Sequence, residues 1–446
     1  MMRSVTAALV LWLCAGPALA DTEITQFRLD NGLEVIIQPD ERAPVAMVLL
    51  LYRVGSKDEP PGITGISHML EHMLFKNTKH LEPGDYSRLV ARFGGVSNAF
   101  TSRDYTGYFQ QYEASRLPLA LELEAERMVN LRMDEEEFER ELQVVLEERS
   151  QRTDDNPAAL AWEKFASIAQ PGTGYARPII GWRREIEQYQ PEQAMDWYER
   201  WYAPGNASLV IVGDVDTEEI REQVERFYGD IPARSVPKRP EQRMIPPPGK
   251  RRMTLEKPVQ VPILYMSYNV PSLSTAGDRR DYYVLTMLGG ILDGGSSARM
   301  QRNLIRGDSV ATSAGARYQG SQRGDGLFVF SGAPSPGTSL EELEDAFLDE
   351  LERLRDEPPE QAELDRVRAQ VLSGNVFKQD SISGRAMELG RLAMLEQPLD
   401  LSDRMAEELE KVTPEDIQDA VERWFTEDRR AVAHVHPDHE EEEASQ

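Results

Sequence analysis

The 446-residue chain is strongly acidic, with 77 Asp and Glu against 50 Lys and Arg and a formal net charge of −27. Such a surface argues against binding nucleic acid, which needs a basic face; it reads first as a solubility or salt adaptation, with long-range attraction of basic peptides as the second reading. A single cysteine, Cys14, and the lack of a later apolar run long enough to cross a bilayer exclude a disulfide scaffold and a membrane span.

Residues 1–20 read as an export signal. Arg3 opens it, a short apolar run follows, and Ala18-Leu19-Ala20 offers a small-x-small cleavage site. Cleavage after Ala20 removes Cys14 and predicts a periplasmic protein. Leu13 stands before Cys14 where a lipid-attachment signal needs a small residue.

Residues 34–37 and 45–52 predict strands, and helical patterns follow over 86–93, 117–131 and 135–149. Past residue 231 prolines recur at Pro232, Pro237, Pro240 and Pro246–Pro248, so 232–250 reads as a linker. Beyond it, 259–268 and 327–331 predict strands, and 340–355 and 361–377 predict helices. Strands and helices do not alternate strictly, which predicts an α+β class. The chain also repeats itself. Pro191-Glu192 leads to Glu199-Arg200-Trp201-Tyr202, and Pro414-Glu415 leads at the same spacing to Glu422-Arg423-Trp424-Phe425. Each is a helix opened by proline and followed by a short apolar run, a duplicated unit rather than a short-period solenoid. The expected organisation is a leader (1–20), a first domain (21–231), the linker (232–250), a second domain (251–437) and an acidic tail (438–446). His434, His436 and His439 near that tail read as strand and tail residues rather than a metal site.

The densest chemical signal is His68-Met69-Leu70-Glu71-His72. Histidines four apart stack on one helical face, with Glu71 around the same side. Ile66, Met69, Leu70, Met73 and Leu74 take the opposite side, toward a core. The Pro60-Pro61-Gly62 break predicts a helix from about Thr64. The order H-x-x-E-H is the inverted form of the common zinc-peptidase motif. A catalytic zinc site needs a third protein ligand and leaves a fourth position to water. In 134–150, Phe138, Leu142 and Val145 define the buried stripe. Glu141 and Glu148 flank it and Glu147 points away, so helical phase ranks Glu148 above Glu147 and goes no further.

Together these motifs resemble the pitrilysin/insulinase family of zinc peptidases, in its shorter two-domain branch that includes mitochondrial processing peptidase. The match runs through Gly65-Ile-Ser-His68, Glu71, His72, Met73-Leu-Phe-Lys76 and Glu141-Leu-Gln-Val-Val-Leu-Glu-Glu148, and covers essentially the whole mature chain. Asn77 stands where that family usually has glycine. The resemblance implies two homologous domains, each a sheet packed with helices, and one Zn2+ per chain held by His68, His72 and Glu148. Glu71 would be the general base, and Glu141 would orient a histidine from behind. The run from Gly94 to Thr106 is a strand entered through a glycine turn. In the family such a strand pairs with the substrate backbone, so Asn98, Ala99 and Phe100 would line the cleft.

The resemblance also implies an arginine–tyrosine pair in the second half that grips substrate. Here Thr312 occupies the tyrosine position, Arg306 is one place out of register, and Tyr318 lies six residues further on. The expectation is an exported zinc endopeptidase acting as the catalytic subunit of a heterodimer, with a homodimer as the second choice. A non-catalytic zinc-binding structural or chaperone-like subunit is the alternative.

Overall fold

The computed structural model describes residues 23–239 and 250–438. The expected leader, Pro240 and Pro246–Pro248 of the linker, His439 and the acidic run 440–443 lie outside the described residues. Among the described residues no helix is long and apolar enough to cross a membrane.

The first half begins with β1 (Thr25–Arg28), β2 (Glu34–Pro39), β3 (Val45–Tyr52), α1 (Ile66–Met73) and α2 (Asp85–Arg92). It continues through β4 (Val96–Thr101), β5 (Thr106–Glu113), α3 (Leu117–Val129), α4 (Glu135–Arg149) and α5 (Pro157–Ala169), then α6 (Arg183–Ile186), α7 (Pro191–Trp201), β6 (Ala207–Gly213) and α8 (Thr217–Tyr228). The second half holds β7 (Arg251–Lys257), β8 (Ile263–Val270), α9 (Arg280–Asp293), β9 (Ala311–Gln319), β10 (Gly326–Pro334) and α10 (Leu340–Asp356). It ends with α11 (Gln361–Gln379), α12 (Ile382–Met394), α13 (Met405–Glu410), α14 (Pro414–Trp424) and β11 (Arg430–Pro437).

Two mixed sheets result, with strand orders β1-β2-β6-β3-β5-β4 and β7-β11-β8-β10-β9. The β2–β6 and β7–β11 pairs are parallel and all others antiparallel. Leaving β1 aside, the second sheet repeats the first strand for strand. The repeat of α7 into β6 by α14 into β11 is thus one part of a duplication that runs through the fold, and the class is the α+β expected. Local signals explain α4 and α14. Asp134 caps α4 by accepting from the Glu137 amide, and Glu135–Glu137 and Arg149 suit the two ends of its dipole. Pro414 opens α14, capped by Thr413.

Each sheet is covered on both faces, which is why its central strands read as unbroken apolar runs rather than alternating ones. In the first sheet Val48, Leu50 and Ile211 face the helices of their own half, while Met47, Leu49 and Val210 face Leu389 and Met394 of α12. In the second, Phe328 and Val432 face their own helices, while Val329, Ala431 and Ala433 face Phe165 and Ala169 of α5. Since α5 and α12 hold the same place in the two chain orders, each half lends the other one helix.

Two expected boundaries move. The strand expected from Val259 begins at Ile263, because Pro258 and Pro262 cannot donate to a ladder and Val261 is exposed. The helix expected from Thr64 begins at Ile66, because Gly65 adopts φ 92° and the Thr64 amide is bound by Glu185.

Candidate metal centre

Helix α1 buries Ile66, Met69, Leu70 and Met73 and turns His68 and His72 to the other side. Its start is fixed from outside. Glu59 accepts from the Gly65 amide at 2.6 Å and the Ser67 amide at 2.8 Å. Burial pushes the Glu59 carboxyl up to about 8, against the pull of those two amides. Glu185 accepts from the amides of Gly62 and Thr64. Gly65 and Gly181, both at positive φ, cross so closely that a Cβ on either would strike the other segment's backbone. The crossing holds α1 against 178–180, which form one wall of the site.

Helix α4 supplies the carboxylates. His68 Nε2 lies 3.6 Å and His72 Nε2 3.4 Å from the same oxygen, Oε2 of Glu148. One ligand atom from each residue falls within a 4.8 Å cluster, the one such His/Cys/Asp/Glu trio among the described residues. Bonds of about 2.0–2.1 Å in a tetrahedron separate ligand atoms by roughly 3.3 Å, so the two histidine–Glu148 separations are close to those around a zinc-sized ion. Glu148 Oε1 turns away to Arg152, at 2.8 Å. Behind His72, Glu141 Oε2 stands 3.2 Å from Nδ1, and Lys76 pairs with its other oxygen. Nδ1 of His68 is buried with no hydrogen-bond partner, so only one of the two imidazoles is oriented from behind.

The electrostatics suit a cation. Burial would lower the His72 pKa, but its bonds to Glu141 and Glu148 outweigh this and raise it to about 9. His68 is lowered to about 4 by burial and by its neighbour His72. Its contact with His72 holds the Glu148 carboxyl below its usual range. Glu71, half-buried beside the trio, is raised by burial, with the Thr101 hydroxyl at 2.6 Å partly offsetting the rise.

The trio opens into a cavity of about 790 Å³. Asn98, Ala99 and Phe100 line it from β4, the outermost strand, which pairs only with β5. Trp162, Ala166 and Ile180 add apolar walls, and every lining residue belongs to the first half. Thr312 is exposed on β9, Arg306 donates to backbone carbonyls nearby, and the Tyr318 hydroxyl is bound to Pro271, so none of them lines the cavity.

Sequence reasoning missed Thr101 and Arg152. Arg152 follows Glu148 by four, a helical pairing interval that could have flagged it. It also lies in a π-helical turn, 150–154, that continues α4. Thr101 carried no signal, because its contact with Glu71 depends on how β4 meets α1.

Two histidines and a carboxylate around one point, with a second carboxylate beside them, could hold a metal ion on this duplicated α+β frame. The chain belongs to peptidase family M16, the insulinase family. The model of that family matches residues 34–182, and the model of the M16 inactive domain matches 188–371. The chain is 33% identical over 350 residues to the zinc protease PqqE of Helicobacter pylori, covering 76% of each chain. Its fold superposes with TM-score 0.87 on a crystal structure of a protease from Helicobacter pylori, at 28% identity, covering 93% of this chain and 100% of that one. It also superposes on the periplasmic protease PqqL of Escherichia coli with TM-score 0.78, at 18% identity, where 94% of this chain corresponds to 48% of that one.

Proposed function

We propose that the chain is an exported zinc-dependent endopeptidase that cleaves peptides or unfolded segments. His68, His72 and Glu148 hold one Zn2+ per chain, and Glu71 is the general base. The observation that carries this is the convergence of the three donors within 4.8 Å beside a carboxylate anchored by Thr101. Zinc held there supplies Lewis acidity toward water and the scissile carbonyl. Glu71 takes the proton of the attacking water and returns it to the leaving amine, a role its burial-raised pKa favours. Glu141 keeps His72 in the tautomer that offers Nε2 outward. The free edge of β4 pairs with the peptide backbone, with Asn98, Ala99 and Phe100 beneath it.

The reading extends to a partner. All the cavity's lining comes from the first half, and the chain corresponds to about half of the longer PqqL chain. A homologous subunit then supplies the opposite wall, in a heterodimer by preference and a homodimer otherwise. The periplasm is the proposed site of action, supported by the signal-like N-terminus and by the periplasmic setting named for PqqL.

The test is Glu71→Gln. The variant is expected to keep stoichiometric zinc by elemental analysis and to lose peptide hydrolysis by about 10²–10⁴-fold. A chelator should abolish wild-type cleavage. Full activity in Glu71→Gln, or chelator-resistant cleavage, would reject the assignment. Strong activity of the isolated monomer would reject the partner.

A further inference from the structure

Three arginines line the metal cavity: Arg103, Arg152 and Arg177. Two are engaged. Arg152 pairs with Glu148, and Arg177 donates to the Glu59 carbonyl. Arg103 makes no side-chain hydrogen bond or ion pair with any described residue, and its Nε is sealed from solvent without a partner. The acid next to it in sequence is already taken. Asp104 Oδ1 accepts from Tyr175 at 2.7 Å and Arg323 at 3.1 Å, with Lys57 at 3.3 Å. Burial lowers the Arg103 pKa from its ordinary value, and the nearby Asp104 charge offsets only part of that cost.

The backbone that presents Arg103 is fixed. Ser102 Oγ donates to the Tyr105 carbonyl at 2.7 Å and accepts from the Asp104 amide, closing a tight turn. The Arg103 carbonyl accepts from the Lys57 amide at 3.1 Å. Arg103 follows Thr101, the residue that anchors Glu71, by two positions, so their Cα atoms are at most about 7 Å apart. A peptide laid along β4 at Glu71 therefore passes the guanidinium within two or three residues of the bond being cut.

We infer that Arg103 is a specificity-determining residue that binds a carboxylate of the substrate near the scissile bond. This rests on the proposed peptidase reading and names the substrate class for it. The chain's overall negative field acts on the net charge of an approaching peptide, whereas Arg103 acts on one residue once the peptide is seated. The preferred substrate is thus neutral or basic overall with an acidic group beside the cut. A charge-assisted bond from a partly buried guanidinium should favour Glu over the isosteric Gln by about tenfold to a hundredfold.

Binding separates this inference from catalysis. Zinc-loaded Glu71→Gln protein is titrated by fluorescence anisotropy with neutral peptides carrying Glu or Gln at each of three positions on either side of a known cleavage site, with amidated and with free C-termini. Tighter binding of Glu at one position is expected, and Glu71→Gln/Arg103→Met should bind the Glu and Gln forms alike. Arg103→Lys should restore part of the preference. A preference that follows the free C-terminus instead would assign the same guanidinium to a terminal carboxylate. Equal affinity for Glu and Gln peptides throughout, failure to bind the acidic peptides, or a preference that survives Arg103→Met would overturn the inference. Loss of all wild-type hydrolysis with these preferences intact would instead count against the peptidase reading alone.

Discussion

The two halves share a sheet topology and a helix order but put their equivalent helices to different use. In the first half α1 buries one face and leaves His68 and His72 turned toward α4 and the cavity. In the second, the helix after β8 is α9, which buries Tyr283, Leu285, Leu288 and Ile291 and closes directly on α11. A Cβ on Gly290 would strike Val367 there, so the two helices meet closely at that point. The second half does own a histidine with two glutamates. His434 lies 2.9 Å from Glu344 and 3.3 Å from Glu341. But Arg252 Nη1 sits 3.1 Å from its Nε2, so a guanidinium takes the place a metal would need. Ligand residue types alone do not suffice: at His434 a guanidinium sits on the outward ring nitrogen, whereas Arg152 binds only the Glu148 oxygen turned away from the His68 and His72 nitrogens.

The largest break of this contrast comes from the donors themselves. His72→Ala should remove zinc from the protein and abolish hydrolysis, while His434→Ala should leave zinc content unchanged at one per chain. Elemental analysis of both variants decides this. Zinc lost from His434→Ala would mean that the second half holds metal after all.

Next in size is the contact that ties the second half to the first. Arg323, in the turn between β9 and β10, reaches Asp58 at 2.5 Å and Asp104 at 3.1 Å, and the Gly324 amide donates to Tyr175. Removing the cation leaves two buried carboxylates short of a partner, so Arg323→Ala should cost about 3–5 kcal/mol. Denaturant unfolding measures it. A loss below about 1 kcal/mol would mean that the halves are held by their lent helices alone.

Those helices give a symmetric test. Phe165 of α5 and Leu389 of α12 are fully buried on the sheet of the opposite half. Phe165→Ala and Leu389→Ala should each destabilise by about 3 kcal/mol. If the exchange couples the halves, each variant should still unfold in one transition. Separate transitions would show the halves to be independent units.

Glu141→Gln should act more mildly. It keeps the shape behind His72 but removes the charge, and should weaken zinc affinity by about 10–100-fold with the fold intact. Unchanged affinity by competition with a chromophoric chelator would make Glu141 a partner of Lys76 only.

How much of this was legible in the sequence follows the same physics. The spacing of His68, Glu71 and His72 on one helix is local and could be read directly. So could the phase of α4, where Phe138 and Val145 are buried, Glu147 is exposed and Glu148 lies between. The duplication was visible only where a proline-opened helix leads into an apolar strand. Strand β9 was missed because Ala, Ser and Gly dominate it, and β7 because it alternates charged and apolar residues around Arg251, Arg252 and Glu256. The lending of α5 and α12 leaves no local mark, since a helix buried on a foreign sheet has the same pattern as one buried on its own. Arg103 shows the same limit: its chemistry lies in having no partner, and partners are assigned only by the fold.

The smallest expected effect probes the second half's histidine–glutamate pair. Burial would raise the Glu344 carboxyl, but its bonds to His434 and Arg252 prevail and bring it from an ordinary 4.5 down to about 2. A depressed carboxylate pKa means that the folded state favours the charged form. Its stabilising contribution is complete above pH 4.5 and is lost as the pH falls toward 2. Glu344→Gln should therefore lower the melting temperature by a few degrees at pH 6, with a smaller gap from wild type at pH 3. Glu141 and Glu148 are also depressed, but they belong to the first half and titrate alike in both proteins. The difference between wild type and variant thus isolates Glu344. An equal gap at both pH values would mean that Glu344 contributes through shape rather than charge, and the pair would then be packing rather than an ionic substitute for a metal.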